Sequence, residues 1–71
     1  MKTTSEVIQL VSSGAKIIID ANNYTTSEII SIVGNVGLMG SQIVIKNASS
    51  KSNSDLLMIL RHYPNNITIE L

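Results

Sequence analysis

The sequence predicts an α/β fold: three helix-plus-strand units, a three-stranded parallel sheet in order 1-2-3, and helices packed on one face of it as a short solenoid. Three observations predict this. The strand signature Lys16-Ile17-Ile18-Ile19-Asp20 recurs as Gln42-Ile43-Val44-Ile45-Lys46 and again as Asn66-Ile67-Thr68-Ile69-Glu70. Alternate strand side chains point the same way, so Ile17, Ile19, Ile43, Ile45, Ile67 and Ile69 share one face. Ahead of each strand stands a helix start: Thr3 with Glu6, Thr25 with Glu28, and Ser52 with Asp55, each pair at capping-box spacing. The third observation is asymmetry. One sheet face is uniformly isoleucine, whereas the other carries Lys16, Ile18, Asp20, Gln42, Val44, Lys46, Asn66, Thr68 and Glu70. Helices on both sides would demand two apolar faces, so the helices belong on the isoleucine side alone.

Unit 1 is expected to span about 3–20. Its helix runs from about Thr4 to Ser13 with Val7, Ile8, Leu10 and Val11 as the apolar stripe, and stops at Gly14, where a left-handed residue costs least. Unit 2, about 25–46, has the stripe Ile29, Ile30, Ile32 and Val33 and ends its helix between Gly34 and Gly37. The stretch Gly37-Leu38-Met39-Gly40-Ser41 then makes a connection about four residues longer than its counterparts. Leu38 and Met39 at its tip read as a hydrophobic plug over the end of the core or as an exposed knob. Unit 3, about 52–70, has the stripe Leu56, Leu57, Ile59 and Leu60, extended by Tyr63, and its helix ends near His62-Tyr63 because Pro64 disfavours helical geometry before it. Together the units form one domain over residues 1–71.

Composition narrows the chemistry. Lysine plus arginine equals aspartate plus glutamate, five against five, so the electrostatic footprint of a nucleic-acid or anionic-membrane binder is missing. The absence of cysteine excludes disulfides, thiolate metal sites and a cysteine nucleophile. The polar start Met1-Lys2-Thr3-Thr4-Ser5-Glu6 and the break at Gln9 fit neither a signal peptide nor a membrane span, so a cytoplasmic location is expected. The triplets at Asn23, Asn47 and Asn66 match the glycosylation pattern by chance in a chain rich in Asn, Ser and Thr. Heavy use of Ile, Asn, Lys and Ser suggests an AT-rich bacterial gene.

No catalytic or cofactor constellation emerges. His62, the sole histidine, stands beside Arg61 near a helix C-terminus, where cationic side chains are favoured electrostatically. Gly34, Gly37 and Gly40 lie between a helix and the following strand, whereas phosphate cradles lie between a strand and a helix N-terminus. Lys46, Asn47 and Lys51 form a small basic corner able to receive an acidic loop.

From Thr3 to Glu70 the plan resembles the strand-plus-helix units of leucine-rich-repeat proteins, with isoleucine triplets standing where that family's Leu-x-x-Leu-x-Leu-x-x-Asn/Cys-x-Leu string would be. The resemblance implies partner binding through the open sheet face. A lone core of this length is only marginally sufficient, and two sheet edges and one sheet face are left uncovered, so burial against a protein partner or a second copy is favoured. The expected function is a non-catalytic interaction module, most concretely an immunity-protein or antitoxin-type inhibitor. Its expected partner-binding residues are Lys16, Ile18, Asp20, Gln42, Val44, Lys46, Thr68 and Glu70, with Tyr24 and Lys51 at the rim. The alternatives are self-assembly into a homo-oligomer through the open face or an edge strand, and a small-ligand site in the turns Asp20 to Tyr24 and Lys46 to Ser54, the usual ligand position in parallel α/β sheets.

Overall fold

A computed structural model describes residues 1–37 and 39–71. The described residues form α1 (Thr4–Ser12), β1 (Lys16–Asp20), α2 (Thr26–Val33), β2 (Gln42–Lys46), α3 (Asn53–Leu60) and β3 (Ile67–Ile69). Single 3₁₀ turns follow each of the first two strands, at Ala21–Asn23 and Ala48–Ser50, and a third, Pro64–Asn66, precedes β3. The sheet is parallel throughout, in order β1-β2-β3. This is the architecture expected from the repeated patterns.

Capping chemistry sets the helix starts. Thr3 and Thr25 each accept the backbone N–H three residues on, while Glu6 and Glu28 reach back to the cap residue's N–H at 2.9 and 2.8 Å. Unit 3 makes only half of the box. Ser52 accepts from the Asp55 N–H, but the shorter Asp55 side chain takes a hydrogen bond from Thr26 Oγ1 at 3.1 Å instead. Helix α1 ends as expected, with Gly14 at φ +93°. Helix α3 ends at Leu60, earlier than the position of Pro64 alone suggests, and Tyr63 lies beyond it in the left-handed region at φ 51°.

The core lies between helices and sheet. Ile19, Ile43 and Ile45 are buried from the sheet, and Val7, Val11, Ile29, Ile32, Val33, Leu56 and Ile59 from the helices, with the edge residues Ile17, Ile67 and Ile69 packed against them half-covered. Of the expected helix stripes, Ile8, Ile30 and Leu60 are half-buried, and two positions are exposed: Leu10 by 44 % and Leu57 by 60 %. They occupy opposite flanks of the two outermost helices, where no neighbouring helix stands among the described residues. Tyr63 is also exposed rather than core; its ring lies over Gly37, where an added Cβ would collide with it. Met39 is exposed, and Leu38 lies outside the described residues.

The long connection after α2 is anchored by Ser41, which is fully buried. Its N–H donates to the Val36 carbonyl, its hydroxyl donates to the Val11 carbonyl, and its own carbonyl accepts from Asn66 Nδ2. One small residue thus ties all three units together.

Candidate functional site

The uncovered sheet face is organised by strand register. Ile18 stands beside Val44, and Val44 beside Thr68, so an apolar and hydroxylated row crosses the middle of the sheet. Lys16 beside Gln42 forms one flanking row, and Asp20 beside Lys46 the other, continued by Glu70 after β3. Ile18 is 66 % exposed and Val44 half-buried, whereas Lys16, Gln42, Lys46, Thr68 and Glu70 are exposed. The eight face residues proposed from alternation are therefore brought together on one surface. A branched side chain at the middle of each of the first two strands offers a dry centre, and the polar rows offer directional contacts around it.

The Asp20 carboxylate is already structured. Oδ1 accepts from the Asn22 N–H at 2.8 Å, which caps the following turn, and Oδ2 accepts from Asn47 Nδ2 at 2.9 Å. Asn47 adopts φ 57° before the second turn, and Asn tolerates that conformation better than most residues. The C-terminal ends of β1 and β2 are thus cross-linked by side chains.

Two expected rim residues are tied to the preceding unit by hydrogen bonds. Tyr24 is buried, and its hydroxyl donates to the Lys2 carbonyl at 2.6 Å. Lys51 donates from Nζ to the Tyr24 carbonyl at 2.8 Å. Each side chain bridges back to the preceding unit; Tyr24 is thereby buried, whereas Lys51 stays half-buried. The physical reason is the stacking of units. A residue just before a helix cap faces its counterpart in the unit before, and a long side chain there can reach that counterpart's carbonyl.

A cleft of about 590 Å³ runs along β1, lined by Met1, Lys2, Val7 and Leu10 on the α1 side, by Ile17 and Ile19, and by Ile18, Asp20 and Lys46 of the open sheet face. The sequence reading missed this feature. Its only signal is that Leu10 and Ile17 belong to unit 1, on whose outer side no further unit stands among the described residues.

Glu6 and Glu28 carry carboxyls held below their ordinary value. For Glu6 the main cause is the Thr3 N–H, aided by the Thr3 hydroxyl. For Glu28 it is the Thr25 N–H, aided by the hydroxyls of Thr4 and Thr25. Both serve helix starts rather than the sheet face. Among the described residues no group of three or more His, Cys, Asp or Glu side chains is placed to hold a metal ion, and no helix is long and apolar enough to cross a membrane.

Comparison with protein-family models, curated proteins and solved structures finds no match.

Proposed function

We propose that this chain is a non-catalytic interaction module that engages a protein partner with its uncovered sheet face. The observation that carries the reading is the Ile18–Val44–Thr68 row, an exposed isoleucine beside a half-buried valine and a threonine, framed by charged and amide side chains on a three-stranded sheet. A single exposed isoleucine is ordinary on a solvated face, but Ile18 adjoining Val44 inside two polar rows has the arrangement of a protein interface, a dry centre with a polar rim.

Size sharpens the reading. Strands lie about 4.8 Å apart and rise about 3.3 Å per residue, so this face covers at most roughly 240 Å², against about 800 Å² per partner in a standard interface. The partner's footprint therefore extends past the sheet, and the adjoining turns at Ala21–Asn23 and Ala48–Ser50, with exposed Asn22, Asn23, Ser49 and Ser50, are the nearest surfaces to receive it.

The test is a tagged pull-down from the host cell with wild type and an Ile18→Glu, Val44→Glu variant shown to be folded. The expected result is one protein recovered in near-equal amount with wild type, lost with the variant, and rebound when both purified components are mixed. Recovery unchanged by the two substitutions would remove the sheet face from the reading. An activity of that protein which the purified module suppresses would give the reading its inhibitor form.

A further inference from the structure

The contacts between successive units follow one scheme, and both outer ends of the molecule carry the unpaired halves of it. Four contacts define the scheme. In the sheet, Ile17 pairs with Ile43 and Ile43 with Ile67. At the helix starts, the first helical residue of one unit donates to the capping acid of the next: Thr4 Oγ1 to Glu28 Oε2 at 2.8 Å, then Thr26 Oγ1 to Asp55 Oδ2 at 3.1 Å. Before each cap, a long side chain reaches the carbonyl of its counterpart one unit back: Tyr24 Oη to Lys2, then Lys51 Nζ to Tyr24. On the helix flanks, Ile32 and Ile59 are fully buried at the position that Leu10 occupies in unit 1, where it lies exposed.

We propose that the chain stacks head to tail with a second copy, unit 3 of one copy seating on unit 1 of the next as unit 1 seats on unit 2. The unpaired halves match. Leu57, on the outer flank of α3, meets Leu10 of the next copy; it is the counterpart of Ile8 and Ile30 and is 60 % exposed here. Asn53, at the position of Thr4 and Thr26, presents an amide to Glu6 of the next copy, whose Oε1 alone serves its own cap. Lys2 of the next copy, at the position of Tyr24 and Lys51, reaches the Lys51 carbonyl. The outer edge of β3 pairs with the outer edge of β1, setting Ile67 beside Ile17 and filling the cleft beside Leu10. Edge strands exposed on both sides favour this pairing, and the contact is heterologous, using two different surfaces. One pair is adverse: the scheme sets Glu70 beside Asp20 of the next copy.

This inference does not rest on the sheet-face reading, because it is tested at Leu10 and Leu57, which lie on helices and not on the open sheet face. The test is the mass in solution, by sedimentation equilibrium, of wild type, Leu10→Glu, Leu57→Glu and an equimolar mixture of the two variants. Both leucines are exposed in the single molecule, so both variants fold; Leu10→Gln and Leu57→Gln replace them if circular dichroism shows otherwise. Wild type is expected to rise above 7.7 kDa with concentration. Each variant alone stays at 7.7 kDa, and the mixture reaches twice that, because each variant retains the end the other has lost. Wild type remaining at 7.7 kDa up to millimolar concentration overturns the proposal. So does either variant associating by itself as wild type does, which would point to a symmetric contact, or a mixture that stays single. Glu70→Gln, which relieves the adverse pair, is expected to raise the association constant on the order of two- to fivefold; a decrease counts against the proposed register.

Discussion

Ser41 does more for the fold than its size suggests. It is fully buried at the junction of the three units, and its hydroxyl reaches the Val11 carbonyl, thirty positions away in sequence. That carbonyl also accepts the Gly14 N–H, so losing the hydroxyl removes one hydrogen bond without orphaning its acceptor. Ser41→Ala is accordingly expected to destabilise the chain by about 0.5–1.5 kcal/mol, seen as a lower urea midpoint with unchanged slope. An unchanged midpoint would mean that the hydroxyl contributes nothing there. Nothing in the sequence marks this serine, because periodicity locates faces and not the partner of a hydroxyl in a loop. The same gap accounts for Tyr24 and Lys51, whose positions in polar turns suggest exposure and whose hydrogen bonds to Lys2 and Tyr24 carbonyls come from the stacking of units.

At the scale of elements, the helix starts were legible and the helix flanks were not. Capping spacing located α1, α2 and α3 to within a residue, because the cap geometry is local. The stripe, by contrast, tells which side of a helix faces the sheet, but whether a flank is covered depends on whether another helix stands beside it. Hence Ile32 is buried while Leu10, its counterpart, is exposed. The caps also give the fold an acid sensitivity. The folded-state pKa values of Glu6 and Glu28 are lowered by their cap hydrogen bonds, so the stability they contribute is complete above the unfolded value, about 4.3, and is lost as pH falls through the lowered values. Wild type is expected to lose urea resistance as pH falls below about 5, and Glu28→Gln to lose less over the same range while being weaker at neutral pH. Parallel losses in the two proteins would show that the Glu28 carboxylate takes no part. Thr25→Ala removes the hydroxyl that caps α2 and is expected to cost about 0.5–2 kcal/mol by the same measurement.

For the whole molecule, the asymmetry of the two sheet faces decided the architecture, and it makes a sharp contrast in mutational cost. Ile45 and Ile18 are both strand isoleucines, yet Ile45 is fully buried and Ile18 is two-thirds exposed. Ile45→Ala is expected to cost about 2–5 kcal/mol, a large part of the stability of so small a domain, whereas Ile18→Ala stays within about 0.5 kcal/mol. Equal costs in thermal or urea unfolding would mean that the open face is covered in solution at the concentration used. Which surface is open could be read from alternation alone. The identity of the proposed partner could not, because residues that face a partner are selected by that partner's chemistry, which leaves no periodic trace in a sequence.

One consequence follows from having all three helices on one side of the sheet. Packed helices sit about 8–10 Å apart, while hydrogen-bonded strands sit about 4.8 Å apart. Successive units must therefore splay like wedges, narrow at the strands and broad at the helices. Such splay is expected to set the sheet on the inner wall of an arc and to make its open face slightly hollow. A protruding loop or helix fits such a hollow better than a flat surface does, and every further copy added at the ends would lengthen the trough rather than close it over.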